Sequence, residues 1–460
     1  MSCASRGMPL SRPHRGLLLF GRVRVASNQS KQTLNLIDVI SIGIGAMVGA
    51  GIFVLIGQVA ELMDTFTWFS FGLAGVVSLL IGYAYARLSV YYPTNGGLID
   101  YFRAAFSRPL VITLSFLYIG TLILTIALVA RAFGLYAAQW LHPGHANLAL
   151  LGLAYTLGII VLLALLNMYS NHAVGRTESL LVILKLGILL IFIIAGAVQL
   201  KPTSLIPSPL PGADPIFSSL GLTFFAYAGF NMMTNAADKV KNPARTMPLA
   251  FILAISITML LYVALAIILA SSLSMAQLRE YAETSIAYAA YPVLGATGFV
   301  MVSAGALLAT SSAINATIFS LFNTLDSMGQ SREIPAALNR PLWRNASSGN
   351  VIISIAIAIL ALCFDVSVLA DVVSFTFLAS YFFVLIVAWR MRAKIHLGAG
   401  FLLLTLAIVS LIMLGFLYSL ATSNLMAIAS ILAALALCAG LAFWRNRYLS
   451  ASGATGARPR

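Results

Sequence analysis

Charge is what this chain has least of. Only 9% of its 460 residues are charged, against 60% hydrophobic. Soluble domains carry about 25% charged residues, so no soluble fold could hide this much apolar surface. Acidic residues are scarcest, with 13 Asp and Glu against 27 Lys and Arg, for a net charge of +14. Cysteine is nearly absent: Cys3, Cys363 and Cys438 lie far apart, in no disulfide or metal-site spacing, and read as inert thiols. The 5 histidines are scattered, no HExxH occurs, and no glycine-rich loop ends in Lys-Ser/Thr. Zinc-protease and P-loop chemistry are thereby excluded. With no catalytic constellation to assemble, the chain is not expected to be an enzyme or to hold a cofactor or metal. The short alternating segments of a transmembrane β-barrel are missing as well.

Long apolar runs are there instead. They fall at about 34–60, 67–90, 107–140, 148–168, 177–200, 215–238, 246–272, 292–326, 348–365, 368–390, 397–420 and 424–445. A helix needs ~20 apolar residues to cross a bilayer, so an all-α polytopic membrane protein with twelve spans is expected. The third and eighth runs are long enough to tilt or to project beyond the bilayer. If the N-terminus is cytoplasmic, 23 of the 27 Lys and Arg fall in the N-tail, the C-tail and the connections on that side, and only Lys201 and Arg279 fall opposite. The positive-inside rule then places both termini in the cytoplasm, at the plasma membrane (the inner membrane in a bacterium). The same distribution accounts for the basic charge without nucleic acid. The basic stretch to residue 33 reads as a flexible tail that can touch anionic headgroups, and 446–460 as a second tail. Ser274–Tyr288 is polar enough for a short surface helix over the outer mouth. Asn95–Ser107 is amphipathic and suits the inner interface.

One apolar run is weakened from within. Ser41 to Phe53 carries Gly43, Gly45, Gly49 and Gly51. Each glycine costs about 1 kcal/mol against alanine in a helix interior. Unwound backbone is tolerated at membrane depth only where protein or a water-filled cavity satisfies its polar groups. The stretch is either a broken helix whose bare backbone holds a ligand or a face for close helix packing. The sixth run has its own interruption, Gly229 among aromatics and before Asn231, in Phe224-Phe225-Ala226-Tyr227-Ala228-Gly229-Phe230-Asn231. It comes five spans after the first. Five is odd, so two five-span units, 34–200 and 215–391, would lie inverted to each other with paired broken helices. The last two spans, 397–445, would be peripheral.

These residues resemble a known family. Gly43-Ile44-Gly45-Ala46-Met47-Val48-Gly49-Ala50-Gly51-Ile52-Phe53 is similar to the first-helix signature of the amino acid–polyamine–organocation (APC) superfamily. Phe224 to Phe230, followed by Ala236-Ala237-Asp238-Lys239-Val240-Lys241-Asn242-Pro243, resembles its sixth helix and following loop. Tyr92-Pro93-Thr94-Asn95-Gly96-Gly97 and Asp326 to Pro335 are weaker matches in the same order. The closest look is to the cationic amino acid transporter branch and its bacterial relatives. Asn231 stands where the family often has an acid.

The resemblance implies a leucine-transporter-like 5+5 inverted repeat and an amino acid substrate near the midplane. N–H groups of Gly49, Ala50 and Gly51 would meet the substrate carboxylate at the positive end of a helix dipole. Carbonyls of Ala226, Tyr227 and Ala228 would meet its ammonium. Ala46 and Met47 flank the first break. Phe225, Gly229, Phe230 and Asn231 flank the second, one aromatic of the group Phe224, Phe225, Tyr227 and Phe230 serving as a lid or all of them as packing. Lys185 lies well inside the fifth run, where a lysine costs several kcal/mol unless paired or facing a cavity. Related sodium-independent transporters place such an ammonium where others bind sodium. Gly43 and Ile44 would supply its carbonyl partners, with Ser311 and Ser312 nearby, and proton binding and release at Lys185 would couple transport. Snorkelling is the plainer reading of Lys185, and of Arg131. The expected function is secondary amino acid transport by alternating access. Exchange, polyamine transport and a non-transporting membrane sensor are the alternatives; a channel lacks its charged rings or filter repeats.

Overall fold

A computed structural model of the protein describes residues 33–93, 97–144, 146–169, 174–200, 211–343 and 346–451. The basic N-terminal stretch before Thr33, the Thr94–Gly96 part of the turn before the third run, Lys201 and the distal C-terminal tail lie outside the described residues.

Outside the two glycine interruptions in the first and sixth runs, little within the apolar runs competes with helix. They hold few turn-forming residues, and in lipid each backbone N–H and C=O must be satisfied within its own segment. In order, these are α1 (Leu36–Met47), α2 (Ala50–Met63), α3 (Thr67–Tyr91), α4 (Leu98–Ala105), α5 (Arg108–Leu141), α6 (Leu148–Tyr169), α7 (Val174–Val198) and α8 (Ala213–Tyr227). A 3-10 helix, Phe230–Lys239, leads to α9 (Pro243–Ser272), α10 (Met275–Glu280), α11 (Ser285–Gln330) and α12 (Ser348–Cys363). The chain closes with α13 (Val366–Arg390), α14 (Arg392–Ile395), α15 (Ala399–Ser423) and α16 (Leu425–Ala451). Two short strands, β1 (Pro341–Trp343) and β2 (Ala346–Ser347), pair antiparallel before α12.

Among the described residues, ten helical stretches are long and apolar enough to cross a membrane, and Leu36–Met47 and Ser348–Cys363 are shorter apolar helices. The first expected span is thus divided between α1 and α2, and the ninth is a helix of 16 residues. α5, at 34 residues, is about 51 Å long at 1.5 Å per residue and exceeds a ~30 Å hydrocarbon core. α11 reaches 46 residues only across a kink at Gly295. The surface helix over one mouth is short, α10, and starts on a Ser274–Gln277 capping box. α4 buries Leu98, Ile99, Tyr101 and Phe102, so its apolar face meets protein rather than lipid.

Burial sorts centre from rim. The apolar windows of α8 with its 3-10 continuation and of α13 are 78% buried, whereas those of α6, α15 and α16 are 28% or less. The rim helices show lipid-compatible side chains such as Leu162, Leu404 and Leu432. α3 packs on α9, α5 on α6 and α11, α11 on α7, and α1 on α9. The interrupted segments α1–α2 and α8–3-10 therefore lie in the middle of the bundle.

Candidate site at two helix breaks

Both glycine-bearing runs are interrupted. α1 ends at Met47 and α2 begins at Ala50, with Val48 and Gly49 non-helical between them. α8 ends at Tyr227; Ala228 turns extended and Gly229 takes a φ of 129°. That φ strains any L side chain. Space excludes one too, for a Cβ on Gly229 would lie 2.8 Å from the Ala46 carbonyl oxygen and 3.1 Å from the Met47 nitrogen. The second close approach is Gly51, whose Cβ would lie 2.6 Å from Cα of Ala226. The two breaks thus touch, main chain against main chain.

Breaking a helix releases carbonyls, and three of them are accounted for. Val48 N–H still donates to Ile44 O (2.7 Å), but Gly49 N–H turns to Met47 O (2.7 Å) instead of Gly45 O. Gly45 O, left without its helical donor, accepts from Nζ of Lys185 at 2.6 Å. Lys185 is 0% exposed, so its ammonium ends on protein and not at a lipid headgroup. This acceptor is the residue after Gly43 and Ile44, the carbonyls read from sequence, and the Ile44 carbonyl still holds Val48 N–H. Ser311 donates back to Leu307 O within α11 (2.6 Å), and Ser312 is buried beside it. The hydroxyl of Tyr262, on α9, lies 2.7 Å from Met47 O and 3.0 Å from Ala226 O. One buried phenol bridges the ends of both broken helices.

Donors are available at α2. No side chain caps its N-terminus, and the first-turn N–H groups of an α-helix have no intrahelical acceptor. Gly49 N–H is already committed to Met47 O, so of the three donors read from sequence Ala50 and Gly51 remain, and Ile52 joins them. Among the carbonyls, Ala226 O is engaged by Tyr262; Tyr227, the last residue of α8, and Ala228 just beyond it follow.

A small cavity lies at this junction. Ala46, Met47, Gly51, Phe225, Ala228, Gly229 and Asn231 line it, as the sequence reading placed them. Tyr227 and Phe230 point elsewhere: the Tyr227 hydroxyl donates to Phe71 O (2.7 Å), and Phe230 stacks on Tyr381 at 5.1 Å. Of the four candidate lid aromatics, Phe225 alone lines the cavity, its ring 6.0 Å from that of Phe377. The walls that sequence reading missed are Tyr118, Leu122, Thr125 and Val129 of α5, Ala313 and Thr317 of α11, Phe377 of α13 and Met232. In sequence these look like ordinary residues of apolar spans; only the threonines inside the third and eighth runs gave any hint.

Further out, at the α10 end, a larger cavity of about 520 Å³ opens between α2, α8, α13 and the α10 turn, lined by Glu61, Arg279, Glu283, Asp371 and Asn424 among others. Arg131 lies 3.6 Å from the exposed Asp365, so it is paired across that end. At the opposite, α4 end, Arg103 binds Glu333 through Nε and Nη2 (both 2.9 Å) and Asp100 through Nη1 (2.8 Å). Burial disfavours the Arg103 cation, but the carboxylates of Glu333 and Asp100 outweigh it and hold its pKa above the usual value.

Comparison with known proteins assigns the family. The family model described as "Amino acid permease" matches residues 34–423. The chain belongs to the amino acid permease family. This permease is 49% identical to the inner membrane transport protein YbaT of Escherichia coli over 394 residues, covering 85% of the permease and 91% of that protein. It is 25% identical to a methylthioribose transporter of Bacillus subtilis, covering 80% and 84% of the two chains. It is 24% identical to the branched-chain amino acid permease BcaP of Lactococcus lactis, covering 82% and 85%. The permease is accordingly a multi-pass membrane transporter of small molecules and not an enzyme.

Proposed function

We propose that the permease is a secondary active transporter that moves amino acids by alternating access, with the substrate held between the two helix breaks. The observation that carries this reading is the contact of the breaks at Ala46–Met47 and Gly229 beside a cavity. A zwitterion suits it. Its carboxylate meets first-turn N–H groups of α2 (Ala50, Gly51, Ile52), where the helix dipole adds to the attraction. Its ammonium meets the carbonyls of Tyr227 and Ala228 at the end of α8. No charged side chain is needed.

In this reading α1–α2 and α8–3-10 are the first and sixth of twelve spans in a 5+5 inverted repeat, and α15 and α16 are peripheral. The α10 end faces outward and the α4 end faces the cytoplasm with both termini, at the plasma membrane or bacterial inner membrane. Lys185 takes the place of a sodium ion on the Gly45 carbonyl. Transport is then sodium-independent, and proton release from Lys185 is the coupling step; uncoupled exchange is the rival.

The test is uptake of labelled amino acids into proteoliposomes with and without a pH gradient, and with and without sodium. Uptake that rises with an inward proton gradient and ignores sodium is expected. Gradient-independent counterflow would favour exchange. Binding with no flux under any condition would favour a non-transporting sensor.

A further inference from the structure

The junction cavity limits what can fill it. Two of its boundaries are main chain, at the breaks. The remaining side walls are mainly Tyr118, Leu122, Thr125, Val129, Thr317 and Asn231, and none of the lining residues is charged. The Lys185 ammonium does not line it, being held at the Gly45 carbonyl. A charged substrate side chain would enter a desolvated space with no counter-ion, and a buried unpaired charge is strongly disfavoured.

The hydrogen-bonding sense of the walls narrows the choice further. Thr125 donates its hydroxyl hydrogen to Thr121 O (2.6 Å) and Thr317 donates to Ala313 O (2.7 Å). Each threonine therefore turns only oxygen lone pairs outward. They can accept from a substrate hydroxyl or ammonium and offer nothing to a side-chain carboxylate. The Tyr118 hydroxyl sits beside Asn231 and Ser320.

Size sets the last limit. The cavity offers about 50 Å³ to water centres. On that measure one water needs ~10–15 Å³, so it holds roughly three to five waters, about as many heavy atoms as the ammonium–Cα–carboxylate frame alone. That leaves room for one or two further side-chain atoms at most, and a branched aliphatic chain exceeds it.

We infer that the permease takes small uncharged amino acids, of glycine to serine size, and excludes cationic, acidic and bulky ones. This rests on the reading of the cavity as a substrate site. It separates the chain from a cationic amino acid carrier, the branch that its first- and sixth-helix motifs together resemble.

The test uses the full-length protein in two assays over a panel of glycine, alanine, serine, leucine, arginine, lysine and glutamate. Thermal shift reads binding and proteoliposome counterflow reads transport. Glycine, alanine or serine should stabilise the protein and exchange at least ~10-fold faster than the others, the scale on which a pocket discriminates a methylene. Leu122→Ala, which enlarges one wall, should bring leucine into the accepted set. Arginine, glutamate or leucine carried by the unaltered protein as well as alanine overturns the inference and leaves the transporter reading standing. No amino acid bound or carried at all overturns both.

Discussion

Tyr262→Phe isolates one oxygen atom at the centre of the site. The ring is fully buried and phenylalanine fills the same space, so the substitution removes a hydroxyl and little volume. That hydroxyl lies 2.7 Å from Met47 O and 3.0 Å from Ala226 O. Met47 O keeps its bond from Gly49 N–H at 2.7 Å, and Ala226 O is the acceptor left exposed to an apolar surround. A buried polar group without its partner costs about 1–3 kcal/mol. The loss falls on the element that aligns both breaks, so part of it should appear as weaker substrate binding, where about 1.4 kcal/mol is tenfold in affinity. Tyr136→Phe is the control: Tyr136 also donates to a buried carbonyl, Phe53 O at 2.9 Å, but that carbonyl belongs to the continuous part of α2. Thermal unfolding in detergent and equilibrium binding of a labelled amino acid read the two effects. Both variants should lose thermal stability, and Tyr262→Phe alone should lose roughly five-fold or more in affinity, the equivalent of ~1 kcal/mol. Equal affinity for the two variants would reduce Tyr262 to a generic core hydrogen bond and refute the bridging role.

Lys185→Met keeps the buried volume and removes the ammonium from Gly45 O; uptake should fall and lose its response to a pH gradient, and gradient-driven uptake at the unaltered rate would remove Lys185 from coupling. Gly229→Ala forces a Cβ to within 2.8 Å of Ala46 O at a φ of 129°; backbone strain of this kind is on the order of 1–3 kcal/mol, so binding should weaken sharply while membrane insertion, followed by fractionation, is retained. Arg103→Ala strands the Glu333 carboxylate, which is 5% exposed; breaking a buried pair costs about 3–5 kcal/mol, and because Arg103 is about a quarter exposed the lower end is expected. Arg103→Ala with Glu333→Gln should recover much of that loss in a thermal-unfolding assay.

The all-helical, membrane-spanning class was legible because bilayer thickness fixes helix length: apolar runs of spanning length have few other solutions. The breaks were legible for a related reason, since four glycines within nine residues and a glycine between aromatics make poor helix. What escaped is set by contacts between distant segments. The Ile44 carbonyl stays with Val48 N–H while Gly45 loses its donor because Gly49 N–H turns to Met47 O, at the point where Gly229 of the other break lies against Ala46 and Met47. The composition of the sixth run did not disclose that its second half, Phe230–Lys239, winds as a 3-10 helix. Tyr262 sits in an unremarkable apolar run, and nothing local marks it as the bridge. The side chains of Phe230 and Tyr227, read as candidate lid aromatics, face Tyr381 and Phe71 instead, because they lie on either side of the break and the direction of a ring there cannot be counted from helical periodicity.

The most direct test of the account is a structure determined with a saturating small neutral amino acid. The account predicts its carboxylate within hydrogen-bonding distance of the Ala50, Gly51 or Ile52 N–H groups and its ammonium on the Tyr227 or Ala228 carbonyl. A ligand bound elsewhere, or two helices that run through Gly49 and Gly229 without interruption, would contradict it.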